Sequence, residues 1–194
     1  MAHCKCFMVL LIATVMAACL LCALPALSQN VLYDNGPDAD VGYYHINFGS
    51  SVTNSFSLSR SATITGVTLT IYAVDDRNYP EYLKWSITTE PYGGELKGQG
   101  FAPLSRLQAP YLTRFLLFAY KVGLPISNLS LPAGTYYLQL QDVVTRWDTW
   151  AFWAQTGDGT SQAYYEAFAP NGAGPISQVA SESFFVSGEW NSVH

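Results

Sequence analysis

The side chains best suited to chemistry fall into two groups. Asp34, Asn35, Asp38 and Asp40 are packed into one short stretch. Closely spaced Asp and Asn oxygens, together with loop carbonyls, are what a calcium ion takes as ligands. The spacing is not that of an EF-hand, and no distal Glu follows. Asn35-Gly36-Pro37-Asp38 is also turn chemistry in its own right, because Asp and Asn side chains cap turns. The stretch therefore reads first as a turn and second as a structural calcium site that would pin the entry loop. The other group is aromatic: Trp147, Trp150, Phe152, Trp153, Tyr164 and Tyr165. Flat rings on a β-face or loop stack on sugar rings, with nearby Gln and Asp supplying hydrogen bonds. Trp147, between Arg146 and Asp148 in a polar loop, is the best placed. Trp150 and Trp153 have opposite strand parity, so both cannot face solvent on one side, and at least one belongs to the core. Core packing competes for every one of these rings.

Other chemistries have less material. Asp75, Asp76, Asp142, Asp148 and Glu166 could supply a carboxylate pair for glycoside hydrolysis, but such a pair must face across a cleft. Solvated loop charge is the preferred reading for them. Of 3 histidines, only His45 and His194 lie beyond the first segment, too few for a histidine-rich metal site. Neither a Gly-x-Ser-x-Gly elbow nor a phosphate loop is present.

The elements that would position these groups follow an export signal. Lys5 precedes an uncharged apolar run from Phe7 to Leu24, then Pro25 and the small-residue triplet Ala26-Leu27-Ser28. This predicts a signal peptide over residues 1–28, cleaved after Ser28. An uncleaved membrane anchor is one competing reading. Another is a lipoprotein modified at Cys19, disfavoured because an apolar stretch, Leu20 to Leu27, would follow the lipid. All 4 cysteines lie in this leader, so the remaining chain has no disulfide and no thiol zinc site. A disulfide-free exported domain fits a bacterial cell, secreted or periplasmic. Of 9 Lys and Arg, only Lys5 is in the leader, and all 14 acidic residues follow it. A net acidic chain with scattered cations argues against nucleic acid and anionic lipid as partners. After cleavage no membrane span is expected.

Residues 29–194 read as one all-β domain of some ten short strands, an antiparallel, jelly-roll-like β-sandwich. Period-two alternation is clearest at Tyr136, Leu138 and Leu140, and at Leu83, Trp85 and Ile87. A parity change at Gly66 predicts a bulge. Residues 44–48 read as a strand before a turn at Gly49. The apolar run Phe115 to Val122 reads as a strand buried on both faces, with a short helix over 110–120 as the competitor. Residues 170–175 read as a loop before a last strand at 183–186. The first strand, at Val31 to Tyr33, and the last are expected to pair, covering an edge.

Several stretches resemble a group of bacterial exported proteins, many of which end in a PEP-CTERM sorting tail. The matching pieces are Leu32-Tyr33-Asp34-Asn35-Gly36-Pro37, then Ile46-Asn47-Phe48-Gly49 with Val52 and Phe56, then Leu131-Pro132-Ala133-Gly134-Thr135-Tyr136-Tyr137-Leu138-Gln139-Leu140, and finally Ser181-Glu182-Ser183-Phe184. Their order along the chain carries the likeness. It implies an exported β-sandwich and brings no site residues with it. The sequence departs from the group at Asn191-Ser192-Val193-His194, where no sorting tail is found. Free secretion is therefore expected in place of surface anchoring. The functional expectation is a non-catalytic exported binding or matrix module for polysaccharide. The alternative is a structural domain contacting an envelope component, and a two-carboxylate hydrolase ranks third.

Overall fold

A computed structural model describes residues 30–170 and 174–192. The leader, residues 171–173 of the expected loop and His194 lie outside them. Fourteen strands follow one another: β1 (Asn30–Asp34), β2 (Asp38–His45), β3 (Ser51–Leu58), β4 (Ala62–Ala73), β5 (Pro80–Glu90), β6 (Gly93–Pro103), β7 (Ser105–Arg106), β8 (Tyr111–Leu112), β9 (Phe118–Leu131), β10 (Gly134–Thr145), β11 (Ala151–Thr156), β12 (Ala163–Glu166), β13 (Ile176–Val179) and β14 (Phe184–Trp190). They form an antiparallel β-sandwich of an eight-stranded and a six-stranded sheet, with no helix among the described residues.

Alternation decides what fills the space between the sheets. Tyr136, Leu138 and Leu140 of β10 and Leu83, Trp85 and Ile87 of β5 are buried against Ile64, Leu69 and Ile71 of β4 and Phe184 of β14. Each such side chain removed from water contributes about 1.5–3 kcal/mol, which lets the domain stand without cross-links. The six-stranded sheet runs β13-β12-β3-β10-β5-β6. In the other sheet β4 pairs along its length with β9 on one side. On its opposite side it pairs first with β14, up to Leu69, and then with β11, from Ile71. The sheet thus forks: one branch continues to β1, the other to β2. Trp153, fully buried, sits at the fork and donates its indole N–H to the Ser183 carbonyl at 2.9 Å.

Two expectations of pairing hold. β1 pairs with β14, Asn30 opposite Gly188. The β4 register slips between Ile64 and Gly66, the bulge expected at Gly66. Other boundaries differ. The strand expected at 44–48 lies at Asp38–His45 instead, and the chain turns at Phe48 and Gly49, both with positive φ. The cause is Asn47, whose side chain bonds Thr149 and Ala151 and pulls the backbone out of the ladder. Residues 113–116 form a turn, and β9 starts only at Phe118. No helix forms there; from Leu117 onward the run is apolar because both faces are covered, whereas Leu116 in the turn is 75% exposed. Tyr120 and Val122 face the main core. Leu117 and Ala119 join Tyr72, Phe152 and Ala154 in a second apolar cluster on the outer face of the eight-stranded sheet. Residues 111–117 cross that face as a strap.

A polar knot lies where the fork opens. Asn35 donates to the Ser181 hydroxyl at 2.6 Å and to the Glu182 carbonyl at 2.5 Å, and accepts from the Tyr33 hydroxyl at 3.1 Å. Ser161 bonds both Asn54 and Ser181. Glu182 is fully buried, and neither carboxyl oxygen has a hydrogen-bond partner among the described residues. Burial alone pushes this carboxyl well above the usual range, because a bare anion there would be unsolvated.

Candidate functional site

The loop between β10 and β11 is built by two buried asparagines. Asn78 accepts the Trp147 N–H at 2.7 Å and donates to the Thr149 hydroxyl. Asn47 donates to the Thr149 carbonyl at 2.8 Å and accepts the Ala151 N–H at 3.2 Å. Thr145 closes the turn by accepting the Thr149 N–H on its hydroxyl at 2.8 Å. Asp148 takes a left-handed φ of 51° at the apex, a conformation that Asp tolerates better than most residues. The outcome is a fixed platform that leaves Trp147 50% and Trp150 59% exposed.

Trp150 continues onto the outer face of the eight-stranded sheet. Its ring lies 5.2 Å from the His45 ring and 6.3 Å from Phe152. His45 also meets Phe152 at 5.0 Å and Phe48 at 6.1 Å. Tyr43 carries the row onward, 4.7 Å from Phe152 and 5.1 Å from Phe115. Arg114 covers the Phe115 ring at 4.8 Å. Burial lowers the His45 pKa, so the imidazole is neutral at neutral pH and adds a flat ring without charge. The row is closed over at the Tyr43 end by the strap and open at Trp150 and Phe48.

No protein-family model matches the chain, and no curated protein matches it.

The acidic group takes up three separate environments. Asp38 accepts from the hydroxyls of Tyr72 and Tyr111, each at 2.5 Å. Both phenols are held well above their ordinary pKa, first by burial and then by the Asp38 bond, and so stay donors. Asp40 accepts the Arg114 N–H at 2.8 Å, fastening the strap to β2. Asp34 caps its own turn by accepting the Gly36 N–H at 2.7 Å, and with Asp158 it borders a cleft of about 350 Å³. Asn35 belongs to the buried knot. Among the described residues, no three His, Cys, Asp or Glu side chains are grouped to hold a metal ion.

The aromatic group divides likewise. Trp147 and Trp150 share the platform. Trp153 is core, which corrects its place among the ligand-facing rings: its even-numbered neighbours Phe152 and Ala154 face outward and it faces in. Tyr164 is on the other side of the molecule, outward on the six-stranded sheet, while Tyr165 packs inward against Tyr44 at 5.1 Å. The carboxylates are scattered too. Asp75 caps the Arg77 N–H, Asp142 pairs with Lys84 at 3.7 Å, and Glu166 accepts from Ser51 at 3.2 Å. Sequence reasoning missed Phe48 and the stacking role of His45. The Phe48-Gly49 turn signal was there to find, but a strand assignment through 44–48 hid it.

Proposed function

We propose that the protein is an exported, non-catalytic module that binds polysaccharide by stacking sugar rings on Trp150 and Trp147. The observation that carries this is the platform: two exposed indoles carried on a loop whose backbone is fixed by buried hydrogen bonds. A loop fixed before binding lowers the ordering cost, and Trp150, packed beside His45 and Phe152, avoids part of the about 0.5–1.5 kcal/mol that immobilising a side chain costs. Beside Trp150 the neutral His45 ring, inclined at 55°, adds apolar surface without charge, and the buried Phe152 packs against both rings. Binding is favoured over hydrolysis because the loop carboxylates are engaged in turns and ion pairs on different elements. The open end of the row, Trp150, His45 and Phe48, carries no charge and suits a neutral chain better than an anionic one.

Titrating intrinsic tryptophan fluorescence with soluble polysaccharides, with and without calcium, tests the reading. A saturable shift that Trp150→Ala abolishes and Trp147→Ala weakens is expected. Calcium should change little, since three of the four carboxylate oxygens of Asp38 and Asp40 already accept hydrogen bonds. A flat response would overturn the reading and assign the strip to a protein partner of the envelope or matrix.

A further inference from the structure

The outer face of the six-stranded sheet carries an arrangement that the Trp150 strip does not use. Leu83, Trp85 and Ile87 point into the core, so Tyr82, Lys84 and Ser86 point out. The register puts Gln139 and Gln99 on either side of Ser86, and Gln141 and Phe101 on either side of Lys84. Tyr82 and Phe101 stack 5.5 Å apart at an interplanar angle of 9°, and are 42% and 58% exposed. The pair stays open to solvent at the margin of the sheet despite its stack. Beside them the amides are already oriented. Ser86 donates to Gln139 at 3.3 Å, and Gln139 donates to Gln141 at 3.1 Å. Each amide retains donor or acceptor capacity beyond these bonds. Lys84 is neutralised by Asp142, which leaves this part of the face with little net charge. The turn between β5 and β6 bounds it: Tyr92 donates its hydroxyl to the carbonyls of Ser51 at 2.8 Å and Tyr164 at 3.1 Å.

We propose that this face is a second binding surface, taking a neutral polysaccharide chain with one sugar ring on the open side of the Tyr82–Phe101 pair and its neighbours' hydroxyls on Ser86, Gln139 and Gln141. Alternating ring stacking and amide hydrogen bonds match the alternating apolar ring faces and equatorial hydroxyls of a sugar chain. A protein partner would need a wider apolar centre than one aromatic pair, with Val144 opposite Tyr82, set among amides. The inference rests on the same sugar-stacking chemistry as the Trp150 strip but uses different residues on the opposite face of the sandwich. One molecule therefore holds two chains and cross-links them.

Affinity electrophoresis of the purified chain in gels containing xyloglucan, a neutral polymer, or alginate, an anionic one, separates the two faces. Turbidity of xyloglucan mixtures reports cross-linking. Retardation in xyloglucan only is expected. The double variant Tyr82→Ala/Phe101→Ala should weaken it about tenfold and remove the turbidity while Trp150-dependent binding persists. Gln139→Ala, which leaves the stacked pair in place, should weaken it by a smaller factor. Retardation and turbidity unchanged in both variants, with binding lost in Trp150→Ala, would overturn the second surface and leave the first. Binding insensitive to Trp150→Ala but lost in the double variant would overturn the first and leave the second. Retardation in alginate alone would overturn the neutral-chain assignment.

Discussion

Replacing Glu182 by glutamine should make the protein more stable as the pH rises, and the size of the effect follows from its surroundings. Glu182 is fully buried, its carboxyl lacks any hydrogen-bond partner among the described residues, and desolvation raises its pKa well above the ordinary value of 4.5. In the unfolded chain the same group ionises near that ordinary value. The folded state therefore binds a proton that the unfolded state has already released, and stability falls as pH rises. The slope is one proton's worth, up to about 1.4 kcal/mol per pH unit, beginning near the unfolded pKa and ending at the folded one. Below the unfolded pKa both states are protonated and nothing is lost. The amide of the Glu182→Gln variant has no such proton to release. For a chain of this size 1 kcal/mol is about 2–4 °C in Tm. Urea unfolding of wild type and Glu182→Gln at several pH values from about 4 to 7 should give curves that nearly meet at the acid end and diverge upward. Parallel pH profiles would refute the reasoning, because they would mean that Glu182 ionises in the fold as freely as in the unfolded chain.

Asn78→Ala should cost about 1–3 kcal/mol in urea unfolding, because it strands the Trp147 N–H and the Thr149 hydroxyl, and should weaken polysaccharide binding without touching either indole. Trp153→Ala should cost about 3–5 kcal/mol by opening a cavity at the fork, seen as a lowered unfolding midpoint. Gly188→Ala should destabilise by about 1–3 kcal/mol, since a Cβ there would collide with the Thr63 carbonyl oxygen across β14 and β4; amide exchange should rise first in these two strands.

The parts legible in the sequence are those where one residue's neighbours are enough to place it. β10 and the middle of β5 alternate cleanly because one of their faces is buried and the other wet. The opposite parity of Trp150 and Trp153 correctly separated an outward ring from an inward one. The Gly66 bulge and the pairing of first and last strands were legible as well, from a parity slip and from the need to cover an edge. What escaped depends on partners distant in the chain. β2 begins Asp38-Ala39-Asp40, a poor strand by composition, yet Tyr72, Tyr111 and the Arg114 N–H engage both oxygens of Asp38 and one of Asp40 and let it pair with β11. β13, Ile176-Ser177-Gln178-Val179, is too short and exposed to signal itself, and is a strand because β12 offers it an edge. Tyr82 and Phe101 are far apart in the chain, and only the β5–β6 register reveals that they stack.

The antiparallel pairing of β1 with β14 also sets how the domain carries a load. Asn30 and Gly188 are opposite each other, so the beginning of β1 and the distal part of β14 lie at one end of the sheet. Tension between those two points would open their hydrogen bonds singly, as a zip does, and the domain would yield at low force. Tension applied through Trp150 on one face and Tyr82 on the other would instead cross the side-chain core between the two sheets, leaving the ladder hydrogen bonds out of its path. A module of the kind proposed, with polymer on its two faces, would be loaded across its core and spared the direction of its own chain, in which it unzips.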